Sequence, residues 1–180
     1  MPGKIFYYLS FGILGVFLAL MLHFTKYQRM NPGAKVPDLI FEGKMGKECL
    51  VHDSTMTTVI VWFHPDCEHC LYQLTQIDAH IHVLSSTKFF FLTADKNFPS
   101  TRHLGLWPHL TSAGHVRFGI LDRERFMASF GKVITPTTFI FDRQGHLIEK
   151  IFGEVKIKKI QYVLDSVNIP EHGKSRSAVN

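Results

Sequence analysis

The pattern of hydrophobic and polar residues divides the middle of the chain into strands and one amphipathic helix. Two segments, Thr58–Phe63 and Lys88–Thr93, are short and almost continuously apolar, which is typical of strands that a sheet buries on both faces. Between them, apolar side chains recur at intervals of three and four residues, which predicts a helix with one buried face. These helical positions are Leu71, Leu74, Ile77, Ile81 and Leu84.

The second half of the chain continues this alternation and then changes to a hairpin. Val116–Leu121 predicts a strand and Arg123–Phe130 a short helix, whereas the strands Thr137–Phe141 and His146–Ile151 flank a tight turn that ends at Gly145. The remaining predicted elements are a short strand over Glu48–His52, a short helix around Arg102, and a last helix with apolar positions at Ile157, Ile160, Val163, Leu164 and Val167. This order predicts an α/β fold with a mixed sheet and helices on both faces.

The N-terminal region has a different pattern. Residues 5–24 contain no charged side chain, and a run of this length is what a helix needs to cross a bilayer. A cleaved signal peptide would have a shorter apolar core that ends at a pair of small residues, and only Pro32 and Ala34 offer a weak site of that kind. The sequence therefore predicts an uncleaved transmembrane anchor over residues 1–25, a polar linker over 26–35, one domain over 36–168 and a polar tail over 169–180.

The composition supports a single domain and argues against a nucleic-acid partner. Of the 180 residues, 46% are hydrophobic and 19% are charged, which is enough apolar material for one core. The net charge of +5 comes from scattered lysines and arginines, densest at Lys156–Lys159 and in the tail. Because aromatic residues are not interleaved with these charges, we expect no nucleic-acid partner.

Two cysteines, Cys67 and Cys70, lie where the first apolar strand gives way to the helix. Unpaired N–H groups and the helix dipole stabilise a thiolate at a helix N-terminus, and Asp66 is expected to cap that helix. Cys70 falls on the same helical face as Cys67, from which it can attack a mixed disulfide formed on the first thiol. An exposed first thiol and a sheltered second one are what thiol–disulfide exchange requires.

Three other interpretations of the thiol pair remain open: a structural disulfide, a zinc site and two idle buried cysteines. A disulfide across so short a loop would constrain the unfolded chain very little. A structural zinc site needs four ligands, whereas the chain has no second CxxC pair and His80 and His82 point to different helical faces. We favour a redox-active pair and expect no metal ion and no cofactor.

The segments Trp62–Cys70 and Ile134–Gly145 together resemble the thioredoxin fold. More narrowly, with Val36-Pro37-Asp38, they are similar to the TlpA/ResA-like group of membrane-anchored bacterial thiol–disulfide oxidoreductases, and the similarity covers residues 36–168. The resemblance implies a thioredoxin-like mixed sheet flanked by helices. It also implies a cis peptide bond at Thr135–Pro136 that lies against the thiols, with the Thr135 backbone available to an extended substrate segment.

The chain departs from these families where a proton acceptor for the second thiol is expected. Thioredoxins carry a buried Asp six residues before the first cysteine, where this chain has Val61. ResA-like members often carry a Glu three residues after the second cysteine, where this chain has Gln73. Apart from water, the candidates to replace the missing acceptor are Glu68, His69 and His64. His69 also occupies the place of a thiolate-stabilising His in strongly oxidising periplasmic relatives, and Glu68 should oppose that effect.

We therefore predict a membrane-tethered thiol–disulfide oxidoreductase that reduces protein disulfides. The predicted catalytic residues are Cys67 and Cys70, and the predicted supporting residues are Thr135, Pro136, Glu68 and His69. The expected partners are proteins with disulfides or thiols, a membrane electron donor, and the membrane itself through residues 5–24. Two alternatives on the same fold are a copper-binding assembly factor that adds His115 or His146 to the cysteines, and a non-catalytic redox sensor that uses Cys49.

Two further expectations concern Cys49 and the location of the domain. Outside the sensor hypothesis, Cys49 is expected to be a small buried hydrophobe. The redox chemistry predicts a domain on the outer side of the bacterial cytoplasmic membrane. The flanking charges oppose this location, because Lys4 precedes the anchor whereas Lys26, Arg29 and Lys35 follow it, and positively charged flanks usually stay in the cytoplasm.

Overall fold

A computed structural model of the chain describes residues 12–18, 30–98, 103 and 105–168. The strands are β1 (Ile40–Gly43), β2 (Gly46–Cys49), β3 (Thr57–Trp62), β4 (Thr87–Thr93), β5 (Val116–Ile120), β6 (Thr137–Phe141) and β7 (Leu147–Phe152). The helices are α1 (Glu68–Asp78), α2 (Pro108–Ser112), α3 (Arg123–Phe130) and α4 (Ile157–Asn168), with a 3₁₀ helix over Ile81–Leu84.

The seven strands form one mixed sheet in the order β2-β1-β5-β4-β3-β6-β7. Strands β3, β4 and β5 are parallel to one another, whereas β1, β2, β6 and β7 join the sheet by antiparallel pairing. The central strand β3 is fully buried, as its continuous apolar run predicts. The predicted mixed sheet is therefore confirmed.

Side chains of β3 point alternately into two cores, because successive residues of a strand face opposite sides of the sheet. Val59 and Val61 pack with α1, α2 and α4 on one face. Ile60 and Trp62 pack with α3 on the other face, where the Trp62 ring stacks on Phe126 with 4.2 Å between ring centroids. Helices thus cover both faces, as predicted, and the α1 face carries the thiol pair.

Helix α1, which contains Cys70, is shorter than the helix predicted from its apolar positions. Helix α1 ends at Asp78, and the last two predicted positions belong to the separate 3₁₀ helix. Two hydrogen bonds accompany the break. The His80 ring nitrogen Nδ1 lies 2.9 Å from the Gln76 carbonyl oxygen, and the buried Asp78 carboxylate accepts a hydrogen bond from the Leu110 N–H at 2.8 Å. The carboxylate therefore ties the end of α1 to α2.

Other predicted boundaries differ in smaller ways. The early strand predicted over Glu48–His52 is instead β2, which ends at Cys49 and pairs with β1 as a hairpin. Helix α2 was not predicted. It begins at Pro108, where a missing N–H is harmless. Arg102 lies outside the described residues.

The N-terminal predictions fall largely outside the described residues. Of the predicted anchor, only residues 12–18 are described, and they are helical. Among the described residues, no helix is long and apolar enough to cross a membrane. The end of the predicted linker contacts the domain, since the Gly33 N–H donates to the Leu147 carbonyl and the Ala34 carbonyl accepts from the Leu147 N–H, both at 2.8 Å. The predicted tail over 169–180 lies outside the described residues.

Candidate active site

Cys67 lies at the point where the central strand passes into α1. The turn that precedes it is closed by two hydrogen bonds, from the Cys67 N–H to the His64 carbonyl at 3.1 Å and from the Asp66 N–H to the His64 ring nitrogen Nδ1 at 3.2 Å. Cys67 itself is the N-cap of α1, and no side chain caps the helix. The prediction that Asp66 is the cap was therefore wrong, and the side chain at the cap position is the Cys67 thiol.

The two thiols have different environments. Both are free in this structure; Cys67 is half-buried and Cys70 is fully buried in the α1 core. Burial raises the pKa of the Cys70 thiol to about 12, helped by its hydrogen bond with Cys67 and by the charge on Cys67, while a backbone hydrogen bond from His64 lowers it. Cys70 is therefore protonated at neutral pH, and the predicted division into an accessible and a sheltered thiol is confirmed.

A proline loop lies directly against the first thiol. The Thr135–Pro136 peptide bond is cis, as the sequence resemblance implies. The Cys67 Sγ lies 3.9 Å from the Thr135 carbonyl oxygen, which is the distance of a weak S–H···O contact. The loop is held by Thr137, whose hydroxyl donates to the Ile134 carbonyl at 2.6 Å. The Thr135 carbonyl, which precedes the cis bond, therefore lies beside the first thiol.

Exposed apolar side chains adjoin this loop. Ile134 is 52% exposed and Phe152, which pairs with Thr137 across β6 and β7, is 55% exposed. Because side chains alternate along a strand, Phe152 lies on the face opposite α1, where the Lys150 Nζ is 4.8 Å from its ring centroid. Ile134, which precedes Thr135 in the chain, is therefore the exposed apolar side chain next to the backbone carbonyl.

Gln73 occupies the place of the missing proton acceptor, and it serves as a cross-link. Its side chain is fully buried; Nε2 donates to the Thr138 hydroxyl at 2.8 Å and Oε1 accepts from the Val155 N–H at 3.1 Å. An amide cannot accept a proton at neutral pH, so Gln73 ties α1 to β6 and to the segment before α4 without supplying a base. Val61, in the other expected position, is a fully buried part of the sheet.

The two residues between the cysteines are exposed, and one of them has a partner that the sequence did not indicate. Glu68 opens the first turn of α1. The His69 ring nitrogen Nδ1 lies 2.9 Å from the carboxylate Oε2 of Glu154, with the His69 side chain 76% exposed and the Glu154 side chain 31% exposed. Glu154 lies in the segment between β7 and α4. No sequence signal marks it, because the pair joins positions 85 apart.

The copper and zinc interpretations require metal-ligating groups around the thiols. Within the described residues, one group of three or more such side chains lies close together, namely His64, Asp66 and Asp95, with ligand atoms within 4.8 Å of one another. Neither cysteine belongs to it. His146 lies beside Asp142 at 3.6 Å, and His115 has a buried Nε2 without a hydrogen-bond partner. The described residues therefore do not bring a histidine and both thiols together as metal ligands.

Cys49 does not have the environment that was predicted for it. It is exposed, because it ends the outermost strand of the sheet and pairs only with Ile40, which is itself half exposed. The interpretation of Cys49 as a buried hydrophobe was therefore wrong.

Comparisons with known proteins support the fold. No protein-family profile matches the sequence, and no curated protein matches it. A peroxiredoxin-like protein from Aquifex aeolicus has a TM-score of 0.65 at 13% identity, over 78% of this chain and 89% of that one. A thio-disulfide isomerase from Thermus thermophilus has a TM-score of 0.55 at 19% identity, over 77% and 97%.

A third solved structure has a similar relation to this chain. The exposed lipoprotein thioredoxin Etrx1 from Streptococcus pneumoniae strain TIGR4 has a TM-score of 0.55 at 15% identity, over 72% of this chain and 99% of that one. At these identities the likeness carries the fold and not the activity. The chain has the thioredoxin fold, and its structural neighbours are consistent with the predicted resemblance to the TlpA/ResA-like group.

Proposed function

We propose that this protein is a thiol–disulfide oxidoreductase that reduces disulfides in protein substrates. One observation carries the proposal: the half-buried Cys67 at the N-terminus of α1 faces the Thr135 carbonyl at 3.9 Å, with the protonated Cys70 buried behind it. The thiolate is the attacking species in exchange, and Cys67 is the accessible thiol of the pair. The Thr135 backbone and the exposed side chain of Ile134 receive an extended substrate segment.

The reaction proceeds in two exchanges. The Cys67 thiolate attacks one sulfur of the substrate disulfide, which forms a mixed disulfide and releases the other substrate sulfur as a thiolate that takes up a proton. Cys70 then loses its proton and attacks the Cys67 sulfur, which releases the second substrate thiol and leaves a Cys67–Cys70 disulfide. Two electrons pass from the protein to the substrate. Since the pKa of Cys70 is about 12, the second thiol does not compete in the first exchange.

We also propose that the domain is tethered to the bacterial cytoplasmic membrane and acts on its outer side, where a membrane electron donor reduces the protein again. The uncharged run over residues 5–24 supports the tether. Disulfide substrates, which accumulate outside the cytoplasm, support the location. A membrane-impermeant thiol reagent applied to whole cells tests it, because Cys67 and the exposed Cys49 are labelled only if the domain lies outside.

Reduction of insulin by the full-length protein, with dithiothreitol as the electron source, tests the reaction. Cys67→Ser should reduce the rate to that of dithiothreitol alone. In a separate reaction of the reduced protein with insulin and no dithiothreitol, Cys70→Ser should accumulate a mixed disulfide on Cys67. Cys49→Ser is the matched control, because it also removes one accessible thiol and should keep the wild-type rate. Full activity of Cys67→Ser would show that the thiol pair is not the reactive centre.

A further inference from the structure

The contact between His69 and Glu154 differs from an ordinary surface ion pair, because the carboxylate is held by a rigid segment. The residues on either side of Glu154 are both fixed to the site. The Gly153 N–H donates to the Pro136 carbonyl at 2.8 Å, and the Val155 N–H donates to the buried Gln73 side chain at 3.1 Å. Three successive residues therefore contact three parts of the site: Gly153 bonds Pro136, Glu154 bonds His69 between the two cysteines, and Val155 bonds Gln73 in the middle of α1.

The contact with Glu154 selects one tautomer of the neutral His69 ring. A carboxylate only accepts hydrogen bonds, so the 2.9 Å contact requires a hydrogen on Nδ1 of His69. In the neutral ring, Nε2 then carries the lone pair and accepts a proton; in the charged ring, Nε2 donates one. Since the His69 side chain is 76% exposed, Nε2 remains accessible to solvent.

We infer that Glu154 is a positioning residue that holds His69 as the proton carrier of the thiol–disulfide exchange. The inference rests on the proposed function, and it supplies a proton carrier that Gln73 cannot provide. His69 lies between the two cysteines in the chain and on the first turn of α1.

The protons balance when His69 acts twice. In the first exchange, Nε2 takes the proton of Cys67, which leaves the attacking thiolate, and returns that proton to the substrate sulfur that leaves. In the second exchange, Nε2 takes the proton of Cys70 and returns it to the second departing sulfur. The sum is one substrate disulfide and two protein thiols converted to two substrate thiols and one protein disulfide, with His69 and Glu154 unchanged.

Other titratable and charged groups adjoin His69 and must be separated from the effect of Glu154. Glu68 is its neighbour in α1, Cys67 and Cys70 flank the dipeptide, and Lys156 follows Glu154 in the segment before α4. The experiment therefore compares variants that change one carboxylate at a time. Glu149 is the matched control: it pairs with Lys159 at 2.9 Å, and its side chain is 32% exposed, almost the same as Glu154.

The test measures kcat and KM for insulin reduction by the full-length protein between pH 5 and pH 9, as a range that brackets histidine titration. Glu154→Gln should lower kcat by about fivefold to twentyfold, below the 10²–10⁴ typical of general acid–base catalysis because thiolates leave readily, with little change in KM and an altered pH profile. Glu154→Asp should recover part of the loss, and Glu149→Gln should match the wild type. His69→Asn should lower kcat similarly, and the double variant His69→Asn/Glu154→Gln should show no further loss.

The outcomes separate this inference from the proposed function. If Glu154→Gln keeps the wild-type kcat and pH profile while Cys67→Ser is inactive, the role of Glu154 is wrong and the oxidoreductase function stands. If the losses of His69→Asn and Glu154→Gln multiply in the double variant, Glu154 does not act through His69, and the inference is overturned. If Cys67→Ser is active, the proposed function itself fails.

Discussion

Replacing Gln73 with leucine tests whether the buried amide holds the site together. Leucine has a similar volume and packs in the same core, so the substitution removes the two hydrogen bonds and little else. The partners that remain are the hydroxyl of Thr138, which is fully buried, and the N–H of Val155, which is 5% exposed. Neither is accessible to water, so both are left without the partner that Gln73 gave them.

The size of the effect follows from these two groups. An unsatisfied buried polar group costs about 1–3 kcal/mol, and the apolar leucine side chain offsets a part of the sum. We expect Gln73→Leu to lower the free energy of unfolding by about 2–4 kcal/mol. For a chain of this length, the melting temperature should fall by about 6–12 °C.

Two measurements check the prediction, namely denaturant unfolding of the reduced protein and the rate of insulin reduction. The rate should fall in the folded variant as well, because Val155 adjoins Glu154 and its N–H anchors the segment that reaches His69. Thr138→Val removes the same Gln73–Thr138 hydrogen bond from the other side. In the double variant Gln73→Leu/Thr138→Val the two losses should be less than additive, because they share one hydrogen bond.

The reasoning is refuted if Gln73→Leu unfolds at the wild-type denaturant concentration, since the cross-link would then contribute nothing to stability. A variant that loses stability but keeps full activity would refute the second step alone, in which Gln73 positions the segment before α4.

Four further predictions rest on three groups: Cys70, His115 and Phe126. With a pKa of about 12 for Cys70, about one thiol in 10⁴ is ionised at pH 8, so mass spectrometry should find iodoacetamide on Cys67 long before Cys70. Because the pKa of Cys70 lies above the ordinary 9.0, the free energy of unfolding of the reduced protein should fall as the pH rises from 9 toward 12. In Cys70→Ser the free energy of unfolding should fall less over the same pH range. Burial lowers the pKa of His115 below its ordinary 6.5, so its contribution to stability is complete above pH 6.5 and is lost as the pH falls below it; His115→Gln should flatten this slope in denaturant titrations. Phe126→Ala should cost about 3–5 kcal/mol in the same assay, because this buried ring stacks on Trp62 and Phe130.

These predictions have their own contradicting results. Equal alkylation rates at the two thiols would contradict the burial of Cys70. A His115→Gln variant with the wild-type slope between pH 5 and pH 7, the range in which histidine titrates, would assign the acid sensitivity to other groups. A small loss in Phe126→Ala would mean that the core beneath α3 readily closes around the cavity.

The parts of the site that the sequence predicted are those set by neighbouring residues. A buried strand, a short turn and an amphipathic helix place Cys67 and Cys70 by local geometry alone. The cis bond at Thr135–Pro136 followed from a resemblance of two motifs, and the mixed sheet followed from the order of strands and helices. Each of these predictions depends on patterns within about ten residues or on their order along the chain.

The parts that were missed depend on contacts between distant segments. Glu154 contacts His69 because β7 pairs with β6 and the chain then turns back toward α1. No periodicity in the sequence identifies Glu154. Cys49 was predicted to be buried because cysteine is usually buried in a strand. Its exposure follows from the position of β2 as the outermost strand of the sheet. Gln73 was recognised as a departure from related proteins, but its two hydrogen bonds come from β6 and from the segment before α4.

Cys67 and Cys70 are proposed to pass two electrons to a protein disulfide, and a single turnover without added reductant shows whether they do. Reduced full-length protein is mixed with an excess of oxidised insulin without another reductant, quenched with acid, and its cysteine pairing is determined by peptide mass spectrometry. The account predicts one Cys67–Cys70 disulfide for each insulin disulfide reduced, with Cys49 still a thiol. If Cys67 and Cys70 remain thiols, or if Cys49 alone carries the insulin adduct, the account is contradicted.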